Sequence, residues 1–155
     1  MKKSIAILAL EALAIAEAKR KYPGLPESHY TNTNKYKVNS ANSLTKAVKD
    51  WINLNNGFCE RIYTGGIKRT INGREMFTYS GCTKGSADLH SIINGRPVYI
   101  EIKWGADRQS KNQKNFQKKV ESCGAVYLII RTFEEFYNWY TAKIKAGNEP
   151  ASKLM

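Results

Sequence analysis

"DLHSIINGRPVYIEIK", residues 88–103, contains two runs rich in β-branched and aromatic side chains joined by Asn94-Gly95. An Asn-Gly pair between such runs predicts a two-residue β-hairpin, because both turn residues must take positive φ. With that pair as the loop, Ile93 pairs with Arg96, Leu89 with Ile100, and Asp88 falls opposite Glu101. Alternation puts Lys103 on the face of Glu101 and turns Val98, Ile100 and Ile102 to the other face to pack. Directly opposed residues have Cβ atoms about 4.5–5.5 Å apart, close enough for both carboxylates to reach one divalent cation. Opposed like charges destabilise a sheet, so the register asks for a cation or a basic group between them. From geometry alone two readings stand: a metal site, or a solvated sheet edge where Lys103 and Arg96 neutralise the acids or a bulge shifts the register.

Working outward, "SKNQKNFQKKVESCG" (110–124) reads as a helix stopped by Gly124, "AVYLIIR" (125–131) as a buried strand, and "TFEEFYNWYTAKIKAG" (132–147) as a closing helix with Phe133, Phe136, Tyr137 and Tyr140 on its apolar side. Upstream, "SLTKAVKDWINLNNG" (43–57) places Leu44, Ala47, Val48, Trp51, Ile52 and Leu54 largely on one helical face, with Ser43 as N-cap and Gly57 as stop. "FCERIYT" (58–64) alternates like a strand, and "GGIKRTINGREM" (65–76) reads as a glycine-rich basic loop or loose hairpin. A last strand reached through a helical crossover predicts an α/β fold, a mixed sheet with helices on both faces.

The first residues, "MKKSIAILALEALAIAEAKRK", imitate a secretory signal, but Glu11 and Glu17 interrupt the apolar run. Ile5, Leu8, Ala9, Ala12, Leu13 and Ala16 recur at helical spacing, which predicts an amphipathic helix too short and too charged to span a membrane. Residues 21–43, rich in Pro, Asn, Ser, Thr and Tyr, read as an extended connector. The expected organisation is therefore an N-terminal helix and connector (1–42), a main domain (43–146) and a C-terminal tail (147–155).

The 155 residues include 25 Lys and Arg against 13 Asp and Glu, a net charge of +12. Such a surplus favours a polyanionic partner, nucleic acid above all. Cys59, Cys82 and Cys123 form no CxxC and have no nearby histidine, which argues against a disulfide framework or a zinc site and fits a reducing cytoplasm.

Asp88, Glu101-Ile102-Lys103, Gly85-Ser86 ahead of the first acid, the Ser/Gln-started helix and the "GAVYLIIR" strand together resemble the PD-(D/E)XK nuclease superfamily. Within it the order of segments looks like the VRR-NUC family, especially small stand-alone versions from phages and prophages. The resemblance runs from about Ser43 to Tyr140. It implies a restriction-endonuclease-like fold and Mg²⁺- or Mn²⁺-dependent cleavage of DNA. Asp88 and Glu101 match the metal-binding acids, Lys103 the motif lysine, and Gln113 the glutamine of the following helix. Small members of the family are associated with homodimers that cut branched DNA such as four-way junctions. Many relatives also carry a Glu on the first core helix, where this chain offers only Asn42, Ser43 and Asp50, and Ala87 stands where the superfamily has Pro.

The residue types suit that chemistry. Mg²⁺ prefers carboxylate, carbonyl and water oxygens, so two acids and a backbone carbonyl such as that of Ile102 suffice. Lys103 is placed to orient a water and stabilise the charge of the transition state. Gln113 has two readings, because Ser110-x-x-Gln113 is also a capping box. His90, without a partner histidine, reads as structural or DNA-proximal, and Trp104 as packing. Arg61, Lys68, Arg69, Arg74 and Lys84, on strand ends and glycine-rich loops, suit phosphate contacts. Lys111, Lys114, Lys118 and Lys119 read as a solvated helix face or a second phosphate strip. The competing readings are a non-catalytic DNA-binding or assembly protein that keeps the nuclease fold, and a nuclease acting on RNA.

Overall fold

In the computed structural model, which describes residues 3–32, 36–78 and 81–147, the elements run α1 (Ile5–Lys21), α2 (Glu27–Asn32), α3 (Ala41–Leu54), β1 (Phe58–Arg61), β2 (Ile67–Ile71), β3 (Arg74–Thr78), β4 (Leu89–Ile93), β5 (Arg96–Ile102), α4 (Lys111–Ser122), β6 (Val126–Ile130) and α5 (Phe133–Gly147). A mixed four-stranded sheet has the order β1-β4-β5-β6, and β2 and β3 form a separate two-stranded sheet. Among the described residues no helix is long and apolar enough to cross a membrane. The C-terminal tail expected from the sequence falls, beyond Gly147, outside the described residues.

The β4–β5 hairpin turns on Asn94 (φ 50°) and Gly95 (φ 74°), both in the left-handed region that a two-residue turn requires. Its antiparallel register is Leu89 with Ile100, His90 with Tyr99 and Ile93 with Arg96, as the turn predicted. Crossing through α4, the chain then adds β6 parallel to β5, Ile100 beside Leu128 and Glu101 beside Ile129. This crossover makes the sheet mixed.

One sheet face carries Leu89, Ile93, Val98, Ile100, Ile102 and Ile130, all buried under α1, α3 and α5. On the opposite face Phe116 and Val120 of α4 pack with Ala87 and Tyr127. Burying one such side chain fully contributes about 1.5–3 kcal/mol. The last strand, read from sequence as buried, lies at the sheet edge instead: Tyr127 and Ile130 are buried, but Ile129 is exposed. An apolar run does not distinguish a central strand from an edge strand that is covered on part of its length.

The N-terminal helix corrects the sequence reading of its inward face. It packs against α3 and α5, with Ala6, Ile7 and Leu10 in the same core as the sheet. The buried face is Ala6, Ile7, Leu10 and Ala14, with Ala9 and Leu13 beside it, whereas Ile5 and Leu8 are exposed. Apolar residues surround this helix, so periodicity alone does not select the inward face, and contact with α3 and α5 does. The connector carries the short helix α2 and is pinned at its end, where Glu11 Oε1 accepts from the Tyr36 amide (3.1 Å) and Tyr36 donates to Asp50 Oδ2 (2.9 Å). Ser40, not Ser43, caps α3, and Ser43 takes the third helical position in a capping box. Sequence spacing allowed either serine, and the extended backbone at Ser40 decides it.

Candidate active site

Asp88 lies at the open end of the hairpin, just before β4 and one residue beyond the last registered pair, Leu89 with Ile100. Asp88 Oδ2 accepts the amide of Ile102 at 2.8 Å, which ties the carboxylate to the end of β5. The N–H and C=O of one strand residue point to the same side, so the Ile102 carbonyl also faces Asp88, beyond the last β4 pair. The loop before Asp88 is held by a close backbone approach. A Cβ on Gly85, where φ is +85°, meets the Asn112 carbonyl carbon at 2.4 Å and its oxygen at 2.5 Å, so only glycine lets this loop lie against the first turn of α4.

Glu101 and Lys103 are almost wholly buried, at 2% and 3% exposure. Lys103 Nζ sits 3.0 Å from Glu101 Oε1, 3.1 Å from Gln113 Oε1 and 3.2 Å from Asp107 Oδ2. Three donors therefore meet three acceptors. Gln113 donates in turn to Glu101 Oε1 through Nε2. The same Gln113 Oε1 accepts the Ser110 amide at 2.9 Å, closing a capping box at the start of α4. The two sequence readings of Gln113 hold together: one amide caps its helix and bridges the acid and the lysine. Tyr127, on β6, donates to Glu101 Oε2 at 3.4 Å.

The electrostatics follow from this burial. Glu101 titrates above the usual carboxylate range, chiefly because burial disfavours its charge and further because Asp88 is a like charge beside it; Lys103 and Tyr127 oppose the shift. For Lys103 burial pulls downward, but Glu101 and Asp107 outweigh it, and the ammonium is held above its ordinary value. The Tyr127 hydroxyl is raised by burial and then by the Glu101 charge, so it serves as a donor.

A metal ion can be tested against this donor set. Among the described residues no group of three or more His, Cys, Asp or Glu side chains is arranged to hold a metal. What the chain offers is two carboxylates and a backbone carbonyl, all hard oxygens, which fits Mg²⁺ or Mn²⁺ retaining waters and does not fit zinc. Asp88 beside the buried Glu101 is a like-charge pair that Lys103 relieves in part and a divalent cation would relieve further, although Lys103 and Gln113 already hold Glu101 Oε1 and Tyr127 holds Oε2.

Among the described residues the first-helix positions have other partners. Asp50 accepts from Tyr36 and Lys46, Ser43 is used in capping, and Asn42 Oδ1 accepts from Arg61 Nη2 at 2.8 Å. Arg61 thus lies at the end of β1, next to Leu89, and also rests over the Tyr63 ring. Lys84 is exposed on the loop preceding Asp88, while Lys68, Arg69 and Arg74 lie on the separate β2–β3 sheet. His90 is clamped between Tyr99 (4.7 Å) and Phe116 (6.1 Å, stacked), its Nε2 buried without a hydrogen-bond partner among the described residues and its pKa lowered by burial. Trp104, read as packing, is 40% exposed instead, because the chain leaves the sheet at Lys103 and turns outward.

Sequence reasoning missed Asp107 and Tyr127. Asp107 follows Lys103 by four residues, a spacing visible in the sequence but informative only once the intervening loop is known to curl back. Tyr127 reaches Glu101 only through the parallel β5–β6 register, which no local signal fixes. No family model matches the chain, and no curated protein gives a significant match to it.

Proposed function

We propose that this chain is a metal-dependent endodeoxyribonuclease that hydrolyses DNA phosphodiesters at the Asp88, Glu101 and Lys103 centre. The observation that carries the reading is Glu101: a carboxylate at 2% exposure, beside Asp88 and bonded to Lys103 and Gln113. Such an arrangement is costly for folding alone and useful for holding a cation next to a phosphate.

Asp88, Glu101 and the Ile102 carbonyl are the groups that would hold Mg²⁺ or Mn²⁺, which when bound lowers the pKa of a coordinated water and neutralises phosphate charge. Lys103 supplies a fixed ammonium to the pentacovalent transition state. Of its three acceptors, Asp107 has a side chain 57% exposed, and a phosphate oxygen can take its place. Gln113 keeps Glu101 and Lys103 oriented through both ends of its amide. A water oxygen bonds to phosphorus as the bond to the 3′ oxygen breaks, and the departing oxygen takes up a proton, leaving a 5′-phosphate and a 3′-hydroxyl.

The excess of cationic residues, Arg61, Lys68, Arg69, Arg74 and Lys84 among them, supports DNA as the polyanion. The resemblance to small VRR-NUC nucleases extends the proposal to branched DNA as substrate, a homodimer as the working form, and a phage or prophage origin acting in the bacterial cytoplasm. Incubation of plasmid and four-way-junction DNA with Mg²⁺ or Mn²⁺ tests it, with Asp88→Ala and Lys103→Ala proteins as controls. Cleavage is expected from the wild type and not from either variant; equal rates from all three sink the assignment. A wild type that binds but never cuts favours a non-catalytic DNA-binding protein on the same fold.

A further inference from the structure

At Ile62, whose amide donates to the Asp88 carbonyl at 2.9 Å, the chain departs from the four-stranded sheet, and it rejoins at Leu89. The intervening segment is therefore an excursion whose two feet stand on Asp88. Within it, β2 and β3 form a hairpin through Asn72 (φ 51°) and Gly73 (φ 74°), with Arg69 opposite Met76 and Ile71 opposite Arg74. Among the described residues neither strand packs on any other helix or strand.

The register sorts this ribbon into two unlike faces. One carries Lys68, Thr70, Glu75 and Phe77, and its acid is 3.9 Å from Lys68. The other carries Arg69, Ile71, Arg74 and Met76, with no carboxylate among the described residues in ion-pair range of either guanidinium. Ile71 and Met76 on that face are 49% and 54% exposed, and since Phe77 on the other face is 51% exposed, it is the two arginines that distinguish this face. A two-stranded ribbon with no core against it gains little from apolar side chains left in water, so folding does not account for this face.

We propose that the β2–β3 ribbon is a docking arm for duplex DNA, which it enters through the Arg69, Ile71, Arg74 and Met76 face. The major groove is about 12 Å wide and admits a two-stranded β-ribbon. Guanidiniums there meet phosphates or the O6 and N7 of guanine, and Ile and Met side chains meet thymine methyl groups. Charge selects this occupant over a second copy of the chain, because a twofold contact through the same face sets arginines against arginines. The segment that carries the arm is tied to Asp88 through the Ile62 amide, which anchors its base beside the proposed reaction centre. The proposal rests on the nuclease reading only for the identity of the polyanion, and it predicts binding whether or not the bound DNA is cut.

The test is fluorescence-anisotropy titration of a short duplex in EDTA, where no cleavage intervenes, with circular dichroism to confirm folding. Arg69→Gln/Arg74→Gln is expected to weaken binding roughly tenfold and to flatten the salt dependence by nearly two counterions. The deciding variant is Arg69→Gln/Thr70→Lys, which restores the net charge but moves it to the opposite face, beside Glu75. Binding as weak as that of Arg69→Gln alone supports the arm; recovery to the wild-type value overturns it in favour of an unspecific basic surface. Unchanged affinity in the double arginine variant also overturns it. A wild type that is dimeric by light scattering and becomes monomeric on Ile71→Ser/Met76→Ser substitution overturns it in favour of a subunit contact. If the wild type binds but does not cut in Mg²⁺, the nuclease reading fails and the arm stands.

Discussion

Gln113 holds Lys103 at 3.1 Å with the same side-chain oxygen that accepts the Ser110 amide at 2.9 Å, so the start of α4 and the proposed reaction centre share one atom. Helix capping and site geometry can be separated by two substitutions. Ser110→Ala removes the hydroxyl that accepts the Gln113 amide and is expected to cost about 1 kcal/mol of stability with little loss of cleavage. Gln113→Ala removes the bridge as well and is expected to lower cleavage about 10–100-fold, on the pattern of groups that orient metal ligands. Urea unfolding and junction cleavage measured on both proteins decide it; equal activity losses would show that only the cap matters.

Asp88→Asn keeps an oxygen able to accept the Ile102 amide and removes the like charge beside Glu101. The expected result is a metal-free thermal midpoint at or above that of the wild type, together with loss of Mg²⁺-dependent cleavage. A marked fall in midpoint would mean that the Asp88 charge serves folding.

At Gly85 an alanine must take a left-handed φ and push its Cβ into the Asn112 carbonyl. Overpacking of this kind costs about 1–3 kcal/mol, and the left-handed backbone adds about 1 kcal/mol. Gly85→Ala should therefore unfold at distinctly lower denaturant concentration and cut poorly, because the loop carrying Asp88 is displaced; wild-type midpoints would refute the close approach.

Leu10 is fully buried among α1, α3 and α5. Leu10→Ala is expected to lower the stability of the whole domain by about 2–5 kcal/mol in a single transition. An independently docked appendage would instead melt separately and leave the main transition unchanged.

Cys59 is buried on β1, and burial pushes its thiol pKa from 9.0 to about 12. The folded state thus binds this proton more tightly than the unfolded state. The resulting stabilisation is complete below pH 9 and is lost as pH rises toward 12. Relative to Cys59→Ala, the wild type should lose stability across that window in urea titrations, and at neutral pH iodoacetamide should modify Cys82 and Cys123 but spare Cys59. A constant difference between the two proteins through the window would contradict the shift.

Much of the fold was legible because its decisive step is local. Asn94-Gly95 demands positive φ at two successive residues, and a two-residue turn leaves one register, so the pairing down to Leu89 and Ile100 follows from counting. The same Asn-Gly chemistry at Asn72-Gly73 predicts only a loop or loose hairpin, because the flanking Lys, Arg and Thr residues give no buried face to mark the strands. The inward side of α1 is illegible for the converse reason, since apolar residues surround the helix.

The sequence alone was enough for the β4–β5 hairpin, its register from Ile93–Arg96 down to Leu89–Ile100, and the helical crossover to β6. Turn dihedrals and side-chain alternation act between near neighbours and leave little choice. Only the tertiary structure decided that Gln113, Tyr127 and Asp107 converge on Glu101 and Lys103, and which side of α1 enters the core. Those contacts join segments whose relative placement is set by packing across the sheet, and no local periodicity records it.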